Sequence, residues 1–175
     1  MSNRLETVPL DSAGRPGAPV ITPSNGSVPF GFAFGHRGDV LVSEAGGSSV
    51  SSYRLGGAGA LRSITASLPV GFGAACWLAA SPNGKFAYTG NASGSITGFD
   101  VDPDGSLGAL GTVALQLSPR DLDFARNGRY LYAVSPGNAT TPGRIAGYRL
   151  AADGALTEVT RVPAAAPGMT GLAAA

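Results

Sequence analysis

Arg120 and Asp121 lie side by side, and Glu44 closes the apolar run Asp39-Val-Leu-Val-Ser. A guanidinium can hold a carboxylate or a phosphate through paired N–H donors. A carboxylate beside it can take a proton from water or substrate. Arg120, Asp121 and Glu44 are therefore the candidate catalytic residues, with Asp121 or Glu44 as base. Trp77 can stack on a sugar ring, and Asn91 and Ser135 fall at places equivalent to Glu44. These three are the candidate substrate contacts. The plainer reading makes Arg120 and Asp121 a solvated loop pair, Glu44 a strand end in water and Trp77 a packing aromatic.

Two other reactive side chains read as structural. His36, the only histidine, takes the hairpin position that Pro82 and Arg126 take elsewhere, and is expected in an exposed turn. Cys76, the only cysteine, has no histidine nearby to activate it and is expected as a small buried or rim thiol. Phosphate loops, dinucleotide fingerprints, zinc spacings and serine elbows are missing from the sequence. No cofactor and no metal are expected.

What must position these residues is a repeat. Pro29–Gly38, Ala75–Gly84 and Pro119–Gly128 align without a gap. Each is followed by a β-rich run (Asp39–Ser43, Lys85–Thr89, Arg129–Val134), then by an alternating strand ending in Tyr53, Phe99 or Tyr148. Each repeat then turns at a glycine with a leucine two residues on: Gly59/Leu61, Gly105/Leu107 and Gly154/Leu156. Asn83-Gly84 and Asn127-Gly128 suit two-residue hairpins. No sustained 3.6-residue apolar period occurs, so almost no helix is expected.

Four short strands in about 45 residues are the signature of a β-propeller blade. The fold class is therefore all-β: about three complete blades of four antiparallel strands, with partial blades at both ends. One domain over 1–175 divides into the end of a blade at 1–28, blades at 29–74, 75–118 and 119–166, and the first strand of a closing blade at 167–175. The expected core is Phe32, Phe34, Val42, Tyr53, Leu78, Tyr88, Phe99, Leu122, Phe124, Tyr132 and Tyr148. A generic β-sandwich is the alternative, but it does not require glycines and aromatics in register.

The ends do not close into a ring. Leu5, Val8 and Leu10 match Val50, Tyr53 and Leu55, so 1–28 supplies third and fourth strands only. Either preceding blades are missing or the chain pairs with another, and exposed terminal faces favour association.

Composition bounds the partners. Of 175 residues 13% are charged, with a formal net charge of +1, so nothing electrostatic points to nucleic acid or an anionic membrane. No apolar run approaches the ~20 residues of a membrane helix, and polar Ser2–Arg4 lead into no signal-peptide core, so a cytoplasmic location is expected. Asn25, Asn91 and Asn138 head glycosylation triplets that read as chance in so Ser/Thr-rich a chain.

The unit Pro-x-x-Leu-x-Phe-x-x-x-Gly-Arg-Tyr-Leu-Tyr at 119–132, followed by Gly-Tyr-Arg-Leu-x-x-Asp-Gly-x-Leu at 147–156, resembles the blade repeat of the lactonase (6-phosphogluconolactonase-type) seven-bladed propellers. Val28–Phe34, Ala74–Trp77 and Gly171-Leu-Ala-Ala resemble the C-terminal half of bacterial members. The resemblance implies a fragment of a lactonase-like propeller whose full form hydrolyses or isomerises a small sugar or organic-acid lactone. A lactone or sugar would be its ligand. Some other lactonase propellers hold a channel calcium, and Glu44 with Asn91 would imitate only part of that ligand set. The rival reading is a non-catalytic propeller serving as a binding or interaction scaffold.

Overall fold

The computed structural model describes residues 2–35, 37–114, 118–163 and 168–175. His36 lies outside them. Among the described residues there are fourteen strands, one short 3-10 turn at Gly57–Gly59 and no α-helix, so none is long and apolar enough to cross a membrane.

Three four-stranded antiparallel sheets follow one another along the chain. The first holds β3 (Pro29–Phe34), β4 (Asp39–Glu44), β5 (Ser49–Leu55) and β6 (Leu61–Pro69). The second holds β7 (Ala75–Ala80), β8 (Phe86–Asn91), β9 (Ser95–Val101) and β10 (Leu107–Ala114). The third holds β11 (Asp121–Phe124), β12 (Tyr130–Gly137), β13 (Pro142–Leu150) and β14 (Leu156–Pro163). Before them β1 (Arg4–Thr7) pairs only with β2 (Val20–Pro23). In each sheet the strands are ordered as they occur in sequence, which is the meander of a propeller blade.

The turns are longer than the two-residue hairpins expected: Ser81 N–H bonds the Phe86 carbonyl and Ala125 N–H the Tyr130 carbonyl, four residues lie between in each, and only Gly84 and Gly128 of these pairs hold positive φ. The Asn83 carboxamide oxygen accepts from the Ser81 hydroxyl and the Lys85 N–H, and Gly84 N–H closes the turn on the Ser81 carbonyl at 2.8 Å. Asn127 and Gly128 repeat the arrangement, with Arg129 N–H on Asn127 at 2.9 Å.

Cross-strand partners share a face, so each blade has one side for the blade before it and one for the blade after. Phe124, Leu131 and Tyr148 are in register across β11, β12 and β13. They pack with Tyr88 and Phe86 of the second blade, and the Tyr88 and Phe124 rings are 5.8 Å apart. Leu41 and Val50 of the first blade meet Ala75, Ala87 and Phe99 of the second in the same way. Burying a large apolar side chain so completely is worth about 1.5–3 kcal/mol, so the blade interfaces carry the fold.

The glycine of each outer turn is fixed by that packing. Gly154 has φ +86°, and a Cβ there would lie 2.8 Å from the Phe86 ring of the preceding blade. The Tyr88 hydroxyl donates to the Gly154 carbonyl at 2.5 Å, and burial pushes its pKa well above that of ordinary tyrosine, so the donor persists. At Gly105 a Cβ would lie 2.7 Å from Ile64 of the first blade.

Two core expectations need correction. Phe32 and Phe34 are 65% and 63% exposed. Their registered equivalents in the third blade, Leu122 and Phe124, are buried because the second blade covers them. In front of β3 stands only the pair β1–β2, and the place of two inner strands is an open cleft of about 480 Å³ lined by Leu5, Thr7, Phe30, Phe32 and Phe34. Leu78 and Tyr132 are half-buried, and the other expected core residues are buried.

Candidate functional site

Inner strands β3, β7 and β11 begin at the same end of the blades at which the second strands end, since Pro29 pairs with Glu44 and Ala75 with Asn91. Strain collects at this end. Val28 and Ala74, one residue before β3 and β7, both hold φ near 55°, a value unusual for residues other than glycine.

Across the starts of the three inner strands runs a ladder of side chains. The Phe30 ring meets Trp77 edge-on at 5.7 Å, and the Arg120 guanidinium carbon lies 5.4 Å from the centre of the Trp77 ring. Arg120 is held by its own backbone N–H on the Val134 carbonyl at 2.7 Å. Trp77 and Arg120 are half-buried and Phe30 is exposed, so the cation and both rings are within reach of solvent. A guanidinium over an indole presents its N–H edge outward, where a carboxylate or phosphate can take it, beside an aromatic face suited to a sugar ring. The sequence placed Arg120 and Trp77 in the site but did not show their contact. In the aligned repeats Phe30 occupies the place of Cys76 and Arg120.

The carboxylates have partners of their own. Glu44 is fully buried. Its Oε1 accepts from Gly26 N–H at 2.7 Å, the Ser51 hydroxyl at 2.7 Å and the Ser24 hydroxyl at 3.2 Å. Its Oε2 accepts from the Ser49 and Ser67 hydroxyls at 2.6 and 3.1 Å. Five donors tie together β4, β5, β6 and the segment after β2. Asn91 is buried at the corresponding place and donates to the Ser95 and Thr97 hydroxyls at 2.9 and 3.0 Å. It is thus no glycan acceptor in this fold. Ser135 is buried opposite Arg144, a buried residue that sequence reasoning passed over. It is a cation at the third-strand place that serine holds in the other blades, and comparing the repeats position by position would have found it.

Asp121 accepts the backbone N–H of Leu172 at 2.7 Å, and Asp123 accepts that of Ala174 at 2.7 Å. The two-residue step on both sides shows an extended segment lying along β11. Asp123 had escaped notice, although the alternation Asp-Leu-Asp-Phe puts both carboxylates on one face.

Cys76 is buried, and its carbonyl accepts from the Ser43 hydroxyl at 2.5 Å. Burial pushes its thiol up, and the nearby Arg120 charge only partly opposes this. In the folded protein Cys76 should resist a disulfide reagent at neutral pH and react once the chain is unfolded, as followed by released thiolate. Rapid native labelling would contradict the geometry. Among the described residues no three His, Cys, Asp or Glu side chains gather as metal ligands.

Residues 32–173 match the family described as Lactonase, 7-bladed beta-propeller. No curated protein matches the sequence. Among solved structures, a putative 6-phosphogluconolactonase from Bacteroides uniformis superposes with a TM-score of 0.78 at 20% identity, covering 94% of this chain and 52% of that one. The periplasmic gluconolactonase of Pseudomonas aeruginosa superposes with a TM-score of 0.74 at 21% identity, covering 92% and 49%. The chain therefore spans about half the length of these structures.

Proposed function

The chain belongs to the lactonase family of seven-bladed β-propellers, and from that premise we propose that it supplies the anion-holding rim of a site for a small sugar or organic-acid lactone, such as 6-phosphogluconolactone. The observation that carries this is Arg120 stacked over Trp77 beside Phe30. The guanidinium takes the phosphate or carboxylate, and the rings cover the apolar face of the sugar. In a hydrolase, with the anion held by Arg120, donors to the oxyanion formed as water attacks the lactone carbonyl would come from other groups of the complete site. Glu44 is engaged by its own sheet and the segment after β2, and Asp121 by the C-terminal segment, so the base that activates water is sought in the other half of a complete propeller.

Trp77 is the only tryptophan, so its fluorescence reports the site directly. Titration with 6-phosphogluconate, the open product, should give a saturable change. Arg120→Ala should weaken it about tenfold or more, the worth of one charge-assisted contact. An identical titration curve in the variant would remove Arg120 from the site.

A second reading is favoured by the engagement of both carboxylates: a propeller that binds such an anion without turning it over. Hydrolysis of 6-phosphogluconolactone by a complete propeller carrying this half separates the two. Turnover lost with Arg120→Ala supports the lactonase, and binding without turnover supports the scaffold.

A further inference from the structure

We propose that the junction between the second and third blades holds a small carboxylate, the size of acetate, on Arg144, in the place that the Glu44 side chain fills in the first blade. The inference does not depend on what the rim at Arg120 binds, and both walls of the junction belong to this chain.

It rests on one place compared across three blades. Near its end each second strand pairs with the start of the third: Glu44 with Ser49, Asn91 with Ser95 and Ser135 with Arg144. In the first blade this pair is an acid among donors, with Glu44 accepting from Ser49 at 2.6 Å. In the second it is neutral, with Asn91 donating to Ser95 at 2.9 Å. In the third it is a cation with no acid. Arg144 shares its face with Ala146 and Tyr148, which pack against Phe86 and Tyr88 of the second blade.

Arg144 is 8% exposed, its Nε is enclosed without a hydrogen-bond partner, and among the described residues it joins no ion pair. The other buried charges are matched. Arg54 meets Asp39 at 2.7 Å, and five donors meet Glu44. Glu158 feels the Arg144 charge, but it is held below the usual carboxylate range chiefly by Arg161, which donates to it at 2.7 and 2.9 Å. Residues 115–117 and 164–167 carry no carboxylate. A guanidinium does not escape its charge by losing a proton, and an enclosed charge without a counter-charge is costly. The counter-charge therefore comes from outside the chain.

The missing group has a size. Ser135 stops one atom past Cβ, where Glu44 continues through a second methylene to its carboxylate. Acetate supplies that carbon and that carboxylate. The Tyr148 hydroxyl, also enclosed without a partner, is the second donor. Its equivalent, Tyr53, takes the Asn25 N–H at 2.8 Å. Burial pushes the Tyr148 hydroxyl up to about 12, so it keeps its proton, and the nearby Arg144 charge partly opposes this.

Sodium acetate, titrated against sodium chloride at constant ionic strength, should raise the thermal midpoint of the 175-residue chain and saturate, by roughly 3–6 °C at ten times its Kd. Arg144→Met, which keeps the length and drops the charge, should lose that response. Arg120→Ala should keep it, which separates this place from the rim. Ser135→Glu puts a carboxylate back on the chain. That variant should melt above the wild type in chloride and no longer respond to acetate. The wild-type titration and Ser135→Glu decide the matter even where Arg144→Met does not fold. No acetate response in the wild type, an equal response in Arg144→Met or Ser135→Glu, or its loss in Arg120→Ala would each overturn the proposal.

Discussion

Glu44→Ala should cost the fold about 1–3 kcal/mol, the scale of leaving a buried donor without its acceptor. The carboxylate is fully buried and accepts from four serine hydroxyls and the Gly26 N–H. The hydroxyls can turn to one another, but the Gly26 N–H cannot, and its loop joins β2 to β3. Loss should therefore centre on the leading pair β1–β2. Urea unfolding measures it as a fall in midpoint. The Trp77 titration of the remaining folded protein should be unaffected, which separates bracing from ligand binding. A midpoint equal to the wild type would show that the carboxylate braces nothing.

Gly154→Val should cost about 3 kcal/mol. Part is the left-handed backbone at φ +86°, worth roughly 1–2 kcal/mol for a residue with a side chain. The rest is overpacking against Leu110 and the Phe86 ring of the second blade, typically 1–3 kcal/mol. Thermal unfolding reads the sum. Phe86→Leu in the same chain opens room, so the double variant should recover part of the loss. Leu110→Ala should recover more, because Leu110 is the nearer neighbour, and recovery with neither change would mean that the turn is not packed on the second blade.

These two positions differ in how far the sequence revealed them. Gly154 stood out because its spacing to Leu156 recurs in every blade, and the reason is geometric: each outer turn must meet the blade before it. Aromatic strand ends such as Tyr53, Phe99 and Tyr148 recur for the same reason, and all three are buried. Glu44 stood out as a carboxylate at a strand end, and residue type alone does not separate a base from a brace. What would have separated them is the ring of Ser24, Ser49, Ser51 and Ser67, four hydroxyls that come together only when β5, β6 and the segment after β2 are placed around β4. Asp121 is the same case, because its partner is a backbone N–H fifty-one residues away. Phe32 and Phe34 were read as core by analogy with Leu122 and Phe124. Pattern identifies the face a side chain is on, but burial also needs the neighbour that covers that face. Arg120 and Trp77 were legible as chemistry, and only folding brought their side chains together.

Because each blade touches only the blades beside it, this protein has no common centre whose loss would release every part at once. Melting should travel sheet by sheet, as a zipper opens tooth by tooth. The middle sheet β7–β10, clasped from both sides, is the last to let go.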